Sequence, residues 1–88
     1  MSTVAGAPIR ITLYRRADCH LCHEMRAVVD AVARAVAVAV EEVDVDTDEE
    51  LARSYGHDVP VLLVNGRKAF KHRVDERSLR ERLVRERE

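Results

Sequence analysis

The chain has no tryptophan, one phenylalanine and two tyrosines, so aromatic residues are 3% of its 88. A core made from this composition is aliphatic, built of Val, Leu, Ile and Ala. Cysteine is scarce as well. Cys19 and Cys22 are the only two, too few to staple a small secreted fold. No uncharged stretch approaches the ~20 residues that cross a bilayer. The apolar run from Ala35 to Val40, for instance, is closed by Arg34 and Glu41. Neither sign of charge is in excess: the formal net charge is -1, which gives no global field toward nucleic acid or an anionic membrane. Internal repeats and low-complexity linkers are absent. What remains is 47% hydrophobic and 35% charged, the balance of a soluble globular chain. Its length sets a limit of one small domain. Residues 1–8 read as a flexible leader and 9–88 as the domain. The leader lacks a basic segment followed by an apolar one, so the expected location is the cytoplasm.

Ile9, Ile11 and Leu13 alternate with Arg10 and Thr12, the period of a strand. Tyr14 to Asp18 is expected to turn. From Cys19 the pattern is helical, with Met25, Val28, Val29, Val32, Ala33 and Val36 at three- and four-residue spacing. Asp30 and Arg34 are spaced to pair on its outer face. Val36 to Val45 is rich in β-branched residues and reads as a strand near 38–45. Asp46-Thr47-Asp48 offers a cap for a short helix that stops at Gly56. Val61 to Val64 is a buried strand, Asn65-Gly66 a hairpin turn, and Lys68 to His72 the return strand. Asp75 caps a last helix, with Leu79, Leu83 and Val84 as its inward candidates and Glu81–Arg85 as an exposed pair. The order is β-α-β-α-β-β-α. The first two strands are expected to be parallel through a right-handed crossover, and the last two antiparallel.

The chemistry concentrates in Cys19-His20-Leu21-Cys22-His23, between the first strand and the first helix. A cysteine at a helix N-terminus has unsatisfied backbone N–H groups and the positive end of the helix dipole beside it. Both favour the thiolate, which is the nucleophile. Cys22 lies about one turn further on, within reach to resolve a mixed disulfide. Arg15, Arg16 and a charged His20 favour the anion, and Asp18 opposes it. Three other readings fit the same residues: two buried structural thiols, a zinc site from Cys19, His20, Cys22 and His23, and the Cys-x-x-Cys-His pattern of c-type haem attachment. Zinc lacks a second cysteine pair at finger spacing. Haem lacks an export signal, and Met25, the only internal methionine, is too close to His23 to be the opposite ligand.

Upstream of the third strand stands His57-Asp58-Val59-Pro60. A plain strand start accommodates proline. Together with the upstream cysteine pair, a cis Val59–Pro60 bond is the sharper expectation, which would offer the Val59 backbone to an extended peptide.

Taken together, strand, Cys-x-x-Cys, helix, strand, helix, Val-Pro, hairpin and helix resemble the thioredoxin superfamily, and most closely small glutaredoxin-like proteins, over roughly residues 9–87. The resemblance implies an α/β thioredoxin-like fold, a four-stranded mixed sheet flanked by helices. It implies a thiol–disulfide oxidoreductase with Cys19 attacking and Cys22 resolving. Arg16, His20, Leu21, Val59, Pro60 and Asp75 are the implied substrate contacts. Arg16 matches a lysine position that meets a glutathione carboxylate, and Asp75 an acidic position that meets the γ-glutamyl amine. No metal and no resident cofactor are implied, with glutathione as a candidate co-substrate. The implied partners are a disulfide-bearing protein or glutathione, and a reductant such as glutathione or a thioredoxin reductase system. A monomer serving cell redox homeostasis and electron transport is the matching picture, without nucleic acid or membrane. Two departures stand out. Cys-His-Leu-Cys replaces the usual Cys-Pro-Tyr-Cys, and Lys71-His72 replaces the Gly-Gly that lets glutathione lie close.

A rival from another class keeps the fold but makes the cysteines a metal holder or a redox sensor for a partner. The acidic stretch Glu41 to Glu50 and the basic residues after Arg67 read as solvated faces. The second could also dock RNA or an acidic protein.

Overall fold

The structure, a computed structural model, describes residues 8–87. The leader expected over 1–8 therefore lies outside the described residues, apart from Pro8. The elements are β1 (Ile9–Arg15), α1 (His20–Ala33), β2 (Val38–Asp44), a 3-10 turn (Val45–Thr47), α2 (Glu49–Tyr55), β3 (Val61–Val64), β4 (Arg67–Lys71) and α3 (Glu76–Arg87). The sheet order is β2-β1-β3-β4. β2 runs parallel to β1, from Ile9 opposite Val38 to Arg15 opposite Asp44. β3 is antiparallel to β1, and β4 to β3. This is the four-stranded mixed sheet of the thioredoxin-like fold.

Alternation sorts the strand residues between two layers. Ile9, Ile11 and Leu13 of β1 and Leu62 and Val64 of β3 point to the face covered by α1 and α3. There they pack with Met25, Val29, Val32, Leu79 and Leu83. The opposite face carries Tyr14, whose ring stacks on Tyr55 of α2 at 4.4 Å between centroids. All four residues of β3 are buried, as a central strand with both faces covered must be.

The turns and caps follow from local chemistry. Asn65 and Gly66 both have positive φ, 50° and 85°, as a tight two-residue hairpin turn demands. The Asn65 side chain accepts from the Arg10 N–H at 3.0 Å and donates to Glu86 at 3.0 Å, which ties the turn to β1 and α3. Asp48 caps α2 by accepting from the Glu50 N–H at 2.8 Å.

Several sequence expectations need correction. Tyr14 and Arg15 continue β1, because pairing with β2 extends to Asp44. Val36 lies beyond α1, and Ala33 is exposed at its end. Val45 belongs to the 3-10 turn rather than β2. β4 spans 67–71, and His72 leaves it with φ 70°. Val84 is 56% exposed, one position past Leu83 on the outer face of α3. Asp30 pairs with Arg26 instead of Arg34, since Arg34 already sits at the C-cap of α1. Glu81 pairs with Arg77 rather than Arg85.

Candidate active site

Cys19 is the N-cap of α1, with extended backbone at φ -116° and ψ 106°. β1 delivers it to the C-terminal edge of the sheet, and the cap geometry turns its sulfur back over the first helical turn. That sulfur accepts from the Cys22 N–H at 3.1 Å. It thus takes the place of the hydroxyl or carboxylate that usually caps a helix. Cys22, one turn on, is 2% exposed, whereas Cys19 is only half-buried. The two form a disulfide, with Cα atoms 5.1 Å apart. The spacing read from sequence therefore yields a cysteine pair that can cycle between dithiol and disulfide, with one sulfur presented outward and one shielded.

His20 follows Cys19 on the exposed side and places Nε2 2.9 Å from Glu24 Oε2. Glu24 was not singled out from sequence, although its spacing of four from His20 is the signal that finds it. Arg16 in the loop before Cys19 lies 3.2 Å from Asp46. A Cβ on Gly56 would stand 2.8 Å from the Arg16 guanidinium, so the absence of a side chain lets the arginine lie close against the end of α2. Arg15 reaches Glu42 at 3.4 Å and Asp44 at 4.0 Å. Its Nε, like that of Arg16, is buried and makes no hydrogen bond among the described residues. The Glu42 approach is therefore Coulombic rather than a directed bond. Asp44, read from sequence as part of an acidic edge, and Asp46, read there and as a helix-cap candidate, are the partners of Arg15 at the end of β1 and Arg16 in the loop.

The Val59–Pro60 bond is cis, as expected from its pairing with the upstream cysteines. Pro60 O accepts from the His72 N–H at 2.7 Å, so the Val-Pro loop and the end of β4 are joined. Lys71 reaches Asp58 at 3.8 Å. Asp75 accepts from the Ser78 N–H at 2.7 Å and caps α3. Hydrogen bonds from Ser78, backbone first and then side chain, hold its carboxyl below the usual aspartate range.

Beside the cysteines opens a cleft of about 420 Å³. Leu21, Met25 and Val28 of α1 form one wall, while Phe70, Val74 and the start of α3 form the other. His72 and Asp75 line it; Arg16, Val59 and Pro60 do not. The six sequence-predicted contacts thus fall into two groups, Leu21 and Asp75 at the cleft, and Arg16, His20, Val59 and Pro60 outside its lining. Phe70, Arg73 and Val74 were missed. They become neighbours of α1 only through the fold. Among the described residues, no group of three His, Cys, Asp or Glu side chains is placed to hold a metal ion, and no helix is long and apolar enough to cross a membrane.

Comparison with known proteins supports the same fold. The family model "Glutaredoxin-like domain (DUF836)" matches residues 10–84. A search of the curated proteins finds no match. Among solved structures, a structural-genomics target protein from X. campestris is 39% identical, with a TM-score of 0.72 over 85% of this chain and 96% of that one. A protein of Nitrosomonas europaea is 27% identical at TM-score 0.74, covering 86% and 92%. Desulfothioredoxin from Desulfovibrio vulgaris Hildenborough, in its reduced form, is 29% identical at TM-score 0.67, covering 92% and 84%. With its half-exposed Cys19 and buried Cys22 at disulfide distance on a thioredoxin fold, the chain belongs to the glutaredoxin-like domain family.

Proposed function

We propose that the protein is a thiol–disulfide oxidoreductase that works in a reducing cytoplasm, as a monomer, on protein or glutathione disulfides. The observation that carries this reading is the asymmetry of the pair. Cys19 is the more exposed sulfur, and it sits at a helix N-terminus with the Cys22 N–H 3.1 Å away. The same N–H and the helix dipole favour a Cys19 thiolate. That thiolate attacks one sulfur of a substrate disulfide and forms a mixed disulfide as the other substrate thiolate leaves. Cys22, deprotonated in turn, attacks the Cys19 sulfur and releases the second substrate thiolate. The two substrate sulfurs are reduced by two electrons, and the cysteine pair is oxidised to the disulfide seen here. A cellular dithiol or glutathione returns it to the reduced state.

In this reading the exposed His20, held by Glu24 at 2.9 Å, borders the incoming substrate next to Cys19. Leu21, Val59, Pro60 and Asp75 contact the substrate, and Arg16 borders the loop that presents Cys19. No metal or bound cofactor takes part in any step.

The test is exchange kinetics with two variants. Cys19→Ser should abolish oxidation of the reduced protein by disulfides. Cys22→Ser should still react once and accumulate a mixed disulfide, visible in the intact mass. Full activity of Cys19→Ser, or no adduct on Cys22→Ser, overturns the proposed roles.

A further inference from the structure

The exchange steps above proceed at the two sulfurs and call on only Leu21 and Asp75 of the cleft, whose lining comes nearest the pair in the chain at Leu21. Leu21, Glu24, Met25 and Val28 recur along α1 at the spacing of one helix face. Leu21 adjoins Cys22, so the stripe leads away from the disulfide. The opposite wall is Phe70 and Val74, with Arg73, Asp75 and Ser78 at the entrance to α3. Its floor is therefore apolar and its rim polar. The volume of about 420 Å³ lies in the range of sites that enclose a ligand.

Charge decides between the two classes of disulfide. Glutathione carries two carboxylates and one ammonium. To the lining, Glu24 and Asp75 bring two carboxylates and Arg73 a single guanidinium, with His72 beside them, and Glu24 is held by His20 at 2.9 Å. This rim offers no positive field to a tripeptide of net negative charge. Other ionic handles nearby are engaged: Arg16 with Asp46, Lys71 with Asp58, and one oxygen of Asp75 with the Ser78 N–H. An apolar segment needs none of them. From Leu21 to Val28 the helix rises ~10 Å, a length that about three extended residues span.

Resting on the exchange reading above, we propose that this cleft seats the residues flanking the cysteine of a protein disulfide, with a large apolar side chain on Met25, Val28 and Phe70. The substrate class is then an apolar protein or peptide disulfide rather than glutathione disulfide. The step is the one already balanced. The peptide disulfide is reduced to two thiols while Cys19 and Cys22 are oxidised.

Three oxidants test this on the reduced full-length protein, followed by formation of the Cys19–Cys22 disulfide. They are the disulfide dimers of acetyl-Gly-Phe-Cys-Leu-Gly-amide and of acetyl-Gly-Gly-Cys-Gly-Gly-amide, and glutathione disulfide. The apolar dimer should react about tenfold faster than either of the others, the lower end of what one well-filled apolar pocket discriminates. Val28→Asp should bring that advantage close to parity. Because Val28 also packs against the core, Ser78→Glu serves as a second variant. It sets a carboxylate in the cleft at a helix position where glutamate supports the Asp75 cap, and it should remove the advantage likewise. Equal rates for the two peptides, a tenfold lead for glutathione disulfide, or a lead for the apolar peptide that survives both variants overturns the cleft proposal while exchange itself stands. No oxidation by any of the three overturns the exchange reading, and the cleft proposal with it.

Discussion

On one face of the sheet, Ile9, Ile11, Leu13, Leu62 and Val64 meet Met25, Val29 and Val32 of α1 and Leu79 and Leu83 of α3, each at 5% exposure or less. On the other face, Tyr14 stacks on Tyr55, Lys68 stands 5.9 Å from the Tyr55 ring, and α2 contributes no buried residue of its own. The first face carries the helix that holds both sulfurs. The second ends near Arg16, which lies against Gly56 at the end of α2, and Arg15 and Arg16 lean on acidic residues of β2 and the turn after it. A small protein with few aromatics has concentrated its apolar burial where a shielded Cys22 needs it. The remainder is held by stacking, caps and partly exposed charges.

The contrast predicts unequal costs. Leu13, wholly buried between both helices, should lose about 2–5 kcal/mol of stability as Leu13→Ala, through lost transfer energy and the cavity left behind. Tyr55→Leu keeps much of the bulk and removes the stacked ring, so about 0.5–1.5 kcal/mol should go. Urea unfolding of both variants gives the comparison. If Tyr55→Leu costs as much as Leu13→Ala, the second face is not the weaker one.

Much of this arrangement was legible in the sequence. Alternation of Ile9, Ile11 and Leu13, the Asn65-Gly66 turn, the Asp48 and Asp75 caps and the Cys-x-x-Cys at a helix start are local signals, each decided within a few residues. The misread features depend on distant partners. Tyr14 and Arg15 are strand because Val43 and Asp44 lie beside them. An i,i+4 count cannot tell whether Asp30 turns to Arg26 or to Arg34, since both are spaced correctly. The end of α1 decides it. The cleft draws its walls from α1, β4 and the start of α3, segments about fifty residues apart in the chain, so no single window of sequence shows it.

A further prediction concerns acid. The Asp75 carboxyl titrates below its ordinary value of 3.8 because Ser78 donates to it. A depressed folded-state value means a contribution that is fully present above the unfolded value and is lost as pH falls through the folded one. Stability should therefore fall below about pH 4 more steeply in the native protein than in Asp75→Asn, whose side chain can still cap but does not titrate. Parallel acid limbs in urea unfolding would mean that this carboxylate is not coupled to folding.

The smallest expected effect belongs to the charged seam between the two faces. Arg26 of α1 bonds Asp30 at 2.9 Å and also reaches Glu42 of β2, which Arg15 approaches from the end of β1. One carboxylate thus links the redox helix, the edge strand and the end of β1 just before the active-site loop. The Arg26 side chain is 41% exposed and that of Glu42 29%, so solvent screens the pair and a value of about 0.2–1 kcal/mol is in order. Arg26→Gln should lose that much at low ionic strength, and the difference from the native protein should shrink in molar salt, where the Debye length is only ~3 Å. A loss of more than about 2 kcal/mol that salt leaves unchanged would point instead to packing of the arginine's aliphatic stem across α1. Burial would then dominate here too, and the division between an apolar face and a charged seam would fail where the helix meets β2.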